Sequence, residues 1–242
     1  MKKLDNVRIL WVRKNRLMKI VRSLIFILAF GGLTACQSGG GQKDANPQRY
    51  LPPRGERMVE MSQRVDDPAT SRTYPVFHFG SLEWLGRNLS LQVANSWCYD
   101  DRDMNCRDYG QLYTPESAQY ACSALGGGWR LPTITEWKTI LRAHGGFVDE
   151  NQKRVGPSPE AALINLTNDN LPFRAKTSGF RNVYGEYMDM GVQTFYWTST
   201  EKDLYQTNYA IALEEKGIGF KVTALDKKAG GYCRCVRPYY GQ

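Results

Sequence analysis

The chain has 242 residues, 42% of them hydrophobic, and a formal net charge of +8. Eight basic residues and one acidic residue fall within 1–35, so the remainder is almost neutral, with its Lys and Arg scattered among Asp and Glu. The basic face a nucleic-acid-binding domain needs is therefore not visible in the sequence, and no nucleic-acid partner is expected. Six cysteines with no CxxC pair, beside only two histidines, exclude a zinc ribbon.

Leu24 to Ala35 reads LIFILAFGGLTA and follows Lys19 and Arg22. A basic stretch, a short apolar run and small residues at its end form a signal-peptide pattern over residues 1–35, and the run is too short to span a bilayer. Met18-Lys19-Ile20-Val21-Arg22 is an ordinary signal start, so Met18 competes with Met1 as the true first residue. Leu33-Thr34-Ala35-Cys36 resembles the lipobox of bacterial lipoproteins. The resemblance implies that Cys36 is diacylated and becomes the first mature residue, inserting the N-terminus into a membrane through lipid. Gln37 stands where an aspartate would imply inner-membrane retention, so the expected place is the outer membrane, facing periplasm or cell surface. QSGGGQKDANPQRYLPPRGER follows, rich in Gly, Pro and polar residues. Residues 36–72 therefore read as the lipidated cysteine and a flexible tether.

Residues 73–242 read as one domain, long enough for a single core. Tyr74 to Phe79 and Leu82 to Leu89 are strand candidates separated by Gly80-Ser81. Ser96 to Tyr113, SWCYDDRDMNCRDYGQLY, reads as an acidic irregular loop. Thr114 caps a helix that Pro115 opens and Gly126-Gly127-Gly128 ends. Thr133 and Glu136 form a capping-box pattern ahead of Ile134, Trp137, Ile140 and Leu141, a helical stripe stopped by Gly145-Gly146. Residues 151–176 read as loop with a short helical turn at 159–163. Four strands are expected at 195–200, 207–213, 218–224 and 232–236. The expected class is α+β.

Chemistry-bearing residues are few. Asp101, Asp103 and Asn105 alternate as D-x-D-x-N, a spacing that suits calcium, but Cys106 and Leu112 stand where an EF-hand needs Gly and Glu. No metal or cofactor is assigned. With Trp97 they form the candidate ligand-binding set. Trp97 either stacks on a sugar ring or plugs the loop. His78 and His144 have no serine or cysteine arrangement beside them, and no catalytic residue is assigned. Cys98 and Cys106 share one short loop and read as a local disulfide. Cys122 could reach either Cys233 or Cys235, which lie on one face of a strand.

The strings GSLEWLGRNLS, SWCYDDRDMNCRDYGQLYT, ACSALGGGWRLPTITEW, GFRN, YWTST and RCVR, in this order, resemble the Fibrobacter succinogenes major paralogous domain of exported bacterial proteins, over residues 76–238. That family is similar to C-type-lectin-like and formylglycine-generating-enzyme-like proteins. The resemblance implies two helices packed on a curled antiparallel sheet with long irregular loops. It also implies a Cys122–Cys235 disulfide, because RCVR carries the family's cysteine, and leaves Cys233 as the odd thiol. In the C-type lectins WND-like strings hold calcium and sugar; here Trp197-Thr198-Ser199 has no carboxylate or amide next to the tryptophan. The expected function is a membrane-anchored extracytoplasmic binding or structural module, its ligand a glycan or another envelope protein. The alternatives are a formylglycine-generating-enzyme-like enzyme and a scaffolding subunit of an envelope complex.

Overall fold

The computed structural model describes Pro52 and residues 57–240 apart from Ile218, with Ser62 as backbone only. All belong to one compact unit, Ala45–Gln242. The leader, Cys36 and the first part of the tether lie outside the described residues. No described helix is long and apolar enough to cross a membrane.

The first sheet has four antiparallel strands in the order β1 (Val59–Asp66), β2 (Thr73–Phe79), β3 (Leu82–Leu85) and β13 (Val236–Pro238). Phe77 pairs with Trp84, and Trp84 with Val236, so β13 closes onto the β2–β3 hairpin. β1 corrects the tether boundary: residues 59–66 form an edge strand of the domain, with Val65 buried in it and Asp67 buried just after it. Its polar sequence suits an edge with one solvated face, which gives little apolar alternation to read. β3 stops short of the expected Leu89 because the chain turns at Gly86, whose amide donates to Pro75 O at 2.8 Å. A Cβ at Gly86 would lie 2.9 Å from Pro172 O.

The acidic segment is more regular than its composition suggests. It contains β4 (Ser96–Trp97), a 3₁₀ turn at Tyr99–Asp101, helix α1 (Asp103–Tyr109) and β5 (Leu112–Tyr113). Helix α2 (Pro115–Ala124) starts where Thr114 Oγ1 accepts the Ser117 amide at 3.3 Å. Helix α3 (Ile134–Ala143) carries the full capping box, with Glu136 Oε2 accepting the Thr133 amide at 2.7 Å. Two further bonds fasten its start to the second sheet: Ser199 N to Pro132 O and Ile134 N to Thr200 Oγ1.

After β6 (Phe147–Val148) and β7 (Arg154–Val155), helix α4 (Pro159–Thr167) extends the short helical turn expected at 159–163 within the loop. The strands that follow are β8 (Ser178–Arg181), β9 (Tyr187–Met190), β10 (Gln193–Glu201), β11 (Thr207–Glu214) and β12 (Phe220–Asp226). They form a seven-stranded sheet in the order β7-β6-β12-β11-β10-β8-β9. The centre is antiparallel, with Tyr196 opposite Ile211 and Ile211 opposite Val222. β6 joins β12 and β8 joins β10 in parallel.

This architecture overturns the lectin-like expectation of two helices on a curled antiparallel sheet. The described residues hold four α-helices and open sheets, the largest of them mixed. The class remains α+β. The misreading has a local cause in α1, which is seven residues long and has no side-chain N-cap bond. It has a non-local cause in the parallel pairings, which leave no local sequence pattern.

The core is aromatic. Trp84 and Trp137 meet edge-on at 5.3 Å, and Phe173 packs on both. A second cluster surrounds Tyr113, Trp197 and the cysteines of α2 and the C-terminal segment. The chain closes two disulfides, Cys98–Cys106 and Cys122–Cys235, the second tying α2 to the segment before β13.

Candidate functional site

The acidic segment does not assemble a ligand site from its candidate residues. Asp101, at φ 53°, accepts a hydrogen bond from Tyr187 Oη. Burial, then this carboxylate, pushes the Tyr187 hydroxyl up to about 12. Asn105 Nδ2 donates to Tyr99 O at 2.8 Å. Asp103 is exposed at the first turn of α1, where negative charge complements the helix dipole. Trp97 is half-buried, and the Arg181 guanidinium covers its ring at 4.3 Å. Trp97 thus behaves as a plug with a cationic cover, and Asp101 and Asn105 are used within the scaffold. Neither histidine is placed for catalysis: His78 stacks on Tyr239, and buried His144 has Nδ1 2.8 Å from Ile140 O.

A cleft of about 600 Å³ opens instead between α2 and the ends of β10 and β11. Glu116, Gln119 and Tyr120 reach it from α2, at positions i, i+3 and i+4, which share one helix face. The Thr114 cap and Pro115 fix where that face begins. Tyr120 is 64% exposed, unusual for so large a ring. Opposite stand Ser199, Glu201 and Asn208. Asn208 Nδ2 donates to Thr198 O at 3.0 Å, which orients the amide, and its Oδ1 has no hydrogen-bond partner among the described residues. Lys227 Nζ stands 3.3 Å from Glu201 Oε1. The neighbouring hairpin is held by Asp203, whose carboxylate accepts the amides of Tyr205, Gln206 and Thr207. The hydrogen bond from Thr207 Oγ1, then those amides, hold Asp203 well below the usual carboxylate range.

Trp197-Thr198-Ser199 runs along this cleft. Trp197 is buried and donates from Nε1 to Tyr113 O at 2.6 Å, while Ser199 faces outward. Sequence reading missed Glu116, Gln119 and Tyr120. Their one available signal was a polar and aromatic trio on the solvent side of a capped helix.

A third cluster joins Cys122, Cys233 and Cys235, whose sulfurs all lie within 4.8 Å of one another. Two are bridged, and Cys233 is a buried free thiol. Burial pushes the Cys233 thiol far up, against a smaller opposite pull from Arg234. Such a thiol is neutral and unreactive in the native state.

The family model of the Fibrobacter succinogenes major domain matches residues 78–237. The chain belongs to this family. The match runs from the end of β2 into β13, so it takes in the Tyr120 cleft and the thiol cluster, and leaves β1 outside the matched range. No curated protein and no solved structure matches the chain.

Proposed function

We propose that this Fibrobacter succinogenes major domain is an extracytoplasmic binding module, anchored to the outer membrane through lipid on Cys36, with a glycan as ligand in the Tyr120 cleft. The observation that carries the reading is the exposed Tyr120 ring in one cleft with two amides, a serine hydroxyl and two carboxylates. A sugar offers an apolar ring face with hydroxyls around its rim. An exposed aromatic accepts the face, and Gln119, Ser199, Glu116, Glu201 and Asn208 supply donors and acceptors for the rim. The apolar run ending in Leu33-Thr34-Ala35-Cys36 supports the anchor. A glycan array probed with the protein and with Tyr120→Ala tests the reading. Retention of one glycan class by the wild type, lost in the variant, is expected; no retention of any class counts against it.

A second reading rests on the three clustered sulfurs. In it the chain is a formylglycine-generating-enzyme-like enzyme, and Cys122, Cys233 and Cys235 hold a soft metal ion as thiolates. It requires the Cys122–Cys235 bridge to open and Cys233 to ionise in a dry interior. The test is titration of the reduced, folded protein with Cu(I) against Cys233→Ser. Stoichiometric binding lost in the variant would favour the enzyme.

A further inference from the structure

A second cleft, of about 260 Å³, lies away from Tyr120. Its walls come from five separate segments. Arg72 precedes β2, Arg87 follows β3, Arg107 lies on α1, Arg174 and Lys176 follow α4, and Arg234 precedes β13. Against these six cations stand two acidic side chains, Asp108 and Asp169. Residues 36–242 carry 24 basic and 23 acidic side chains, so this concentration of one sign is not a property of a basic chain.

The charges are also unspent. Arg107 is 3.7 Å from Asp108, an exposed pair. Arg72, Arg87, Arg174, Lys176 and Arg234 have no ion pair with a carboxylate among the described residues. Arg72 and Arg174 are held in place by backbone carbonyls, those of Cys106 and Leu171, each at 3.1 Å.

Arg234 is the decisive residue. It is 1% exposed and stacks on Phe173 at 4.6 Å. Among the described residues its donors reach neutral acceptors: Asn88 Oδ1 at 2.7 Å, Leu85 O at 3.1 Å and Arg174 O at 3.3 Å. A buried cation ordinarily has a counter-charge, because desolvating it alone is costly. Burial draws this guanidinium down to about 10, so it stays charged at neutral pH without one.

We infer that the Arg234 cleft binds an oxyanion of more than one negative charge, a phosphoryl or sulfate group, separately from the glycan at Tyr120. Several converging guanidinium groups match the oxygens of such a group, and a multiply charged anion offsets more of the local excess than a carboxylate does. The volume suits a small anion or one substituent of a larger molecule.

Calorimetric titration of the protein at low ionic strength with inorganic phosphate, sulfate and acetate tests this, beside the double variant Arg87→Gln/Lys176→Gln. Neither side chain makes a hydrogen bond or ion pair among the described residues, so the variant is expected to fold, and its melting temperature checks that. Saturable binding of phosphate or sulfate, at least about tenfold tighter than acetate and weakened about tenfold or more in the variant, is expected from loss of charge-assisted contacts. Comparing a phosphorylated with a sulfated monosaccharide then separates the two possible sources of the group. No saturable binding, equal affinity for acetate, or unchanged binding in the folded variant would overturn the inference.

Discussion

Arg130 and Glu136 form a two-point ion pair, Nη1 to Oε2 at 2.9 Å and Nη2 to Oε1 at 2.6 Å, and Oε2 also accepts the Thr133 amide. One carboxylate thus completes the α3 capping box and fastens the strand-like segment before it. Burial raises the Glu136 carboxyl, but Arg130 and Thr133 outweigh it and leave the group below its ordinary range. A carboxylate depressed in the fold stabilises above its unfolded value, and that contribution is lost as pH falls through the folded one. Glu136→Gln should cost on the order of 1 kcal/mol at neutral pH, discounted because Arg130 is partly solvated. The gap between variant and wild type in urea titrations should close as pH drops below the usual carboxylate range. A gap that persists there would assign the loss to packing.

The Cys122–Cys235 bridge closes a loop of 113 residues. In the chain-entropy account, removing it with Cys122→Ser costs about 4–5 kcal/mol. Cys98→Ser, which opens a loop of eight, should cost less. Reversing that order in denaturant melts would show that the short bridge supports more of the fold than its own loop.

β1 pairs with β2 at both ends, contributes Val65 to the second core cluster, and follows Met58, which packs on the first. Deleting residues 57–66 should lower the melting temperature by more than about 5 °C, since roughly 2 kcal/mol shifts a domain of this size by that much. An unchanged melt would return this segment to the tether.

Lipid on Cys36 is checked by mass spectrometry of the native N-terminus. A diacylated cysteine as the first residue is expected. An unmodified first residue at Gln37 or later would remove the anchor.

How much of this was legible in the sequence follows from where the information lay. The helices begun by Thr114-Pro115 and by Thr133 with Glu136 could be read because capping chemistry is local. Helix α1, the full length of α4 and the mixed sheet were not, since α1 lacks a cap signal and the parallel contacts at Val148 and Gly179 leave no local pattern. The acidic loop drew attention through composition, yet Asp101 and Asn105 are occupied by Tyr187 and a backbone carbonyl. Both clefts are products of tertiary assembly. Tyr120 and Asn208 are 88 positions apart in sequence, and Arg72 and Arg234 are 162 apart. Only folding shows that an unremarkable helix face and a buried arginine have become walls of a site.

The central claim, a glycan held at Tyr120, is tested most directly by mapping amide chemical shifts of the protein during titration with the best oligosaccharide from the array. Shifts concentrated at Glu116, Gln119, Tyr120, Ser199 and Asn208, and abolished by Tyr120→Ala, are the expected result. Shifts centred on Trp97 to Asn105, or a response unchanged in the variant, would contradict it.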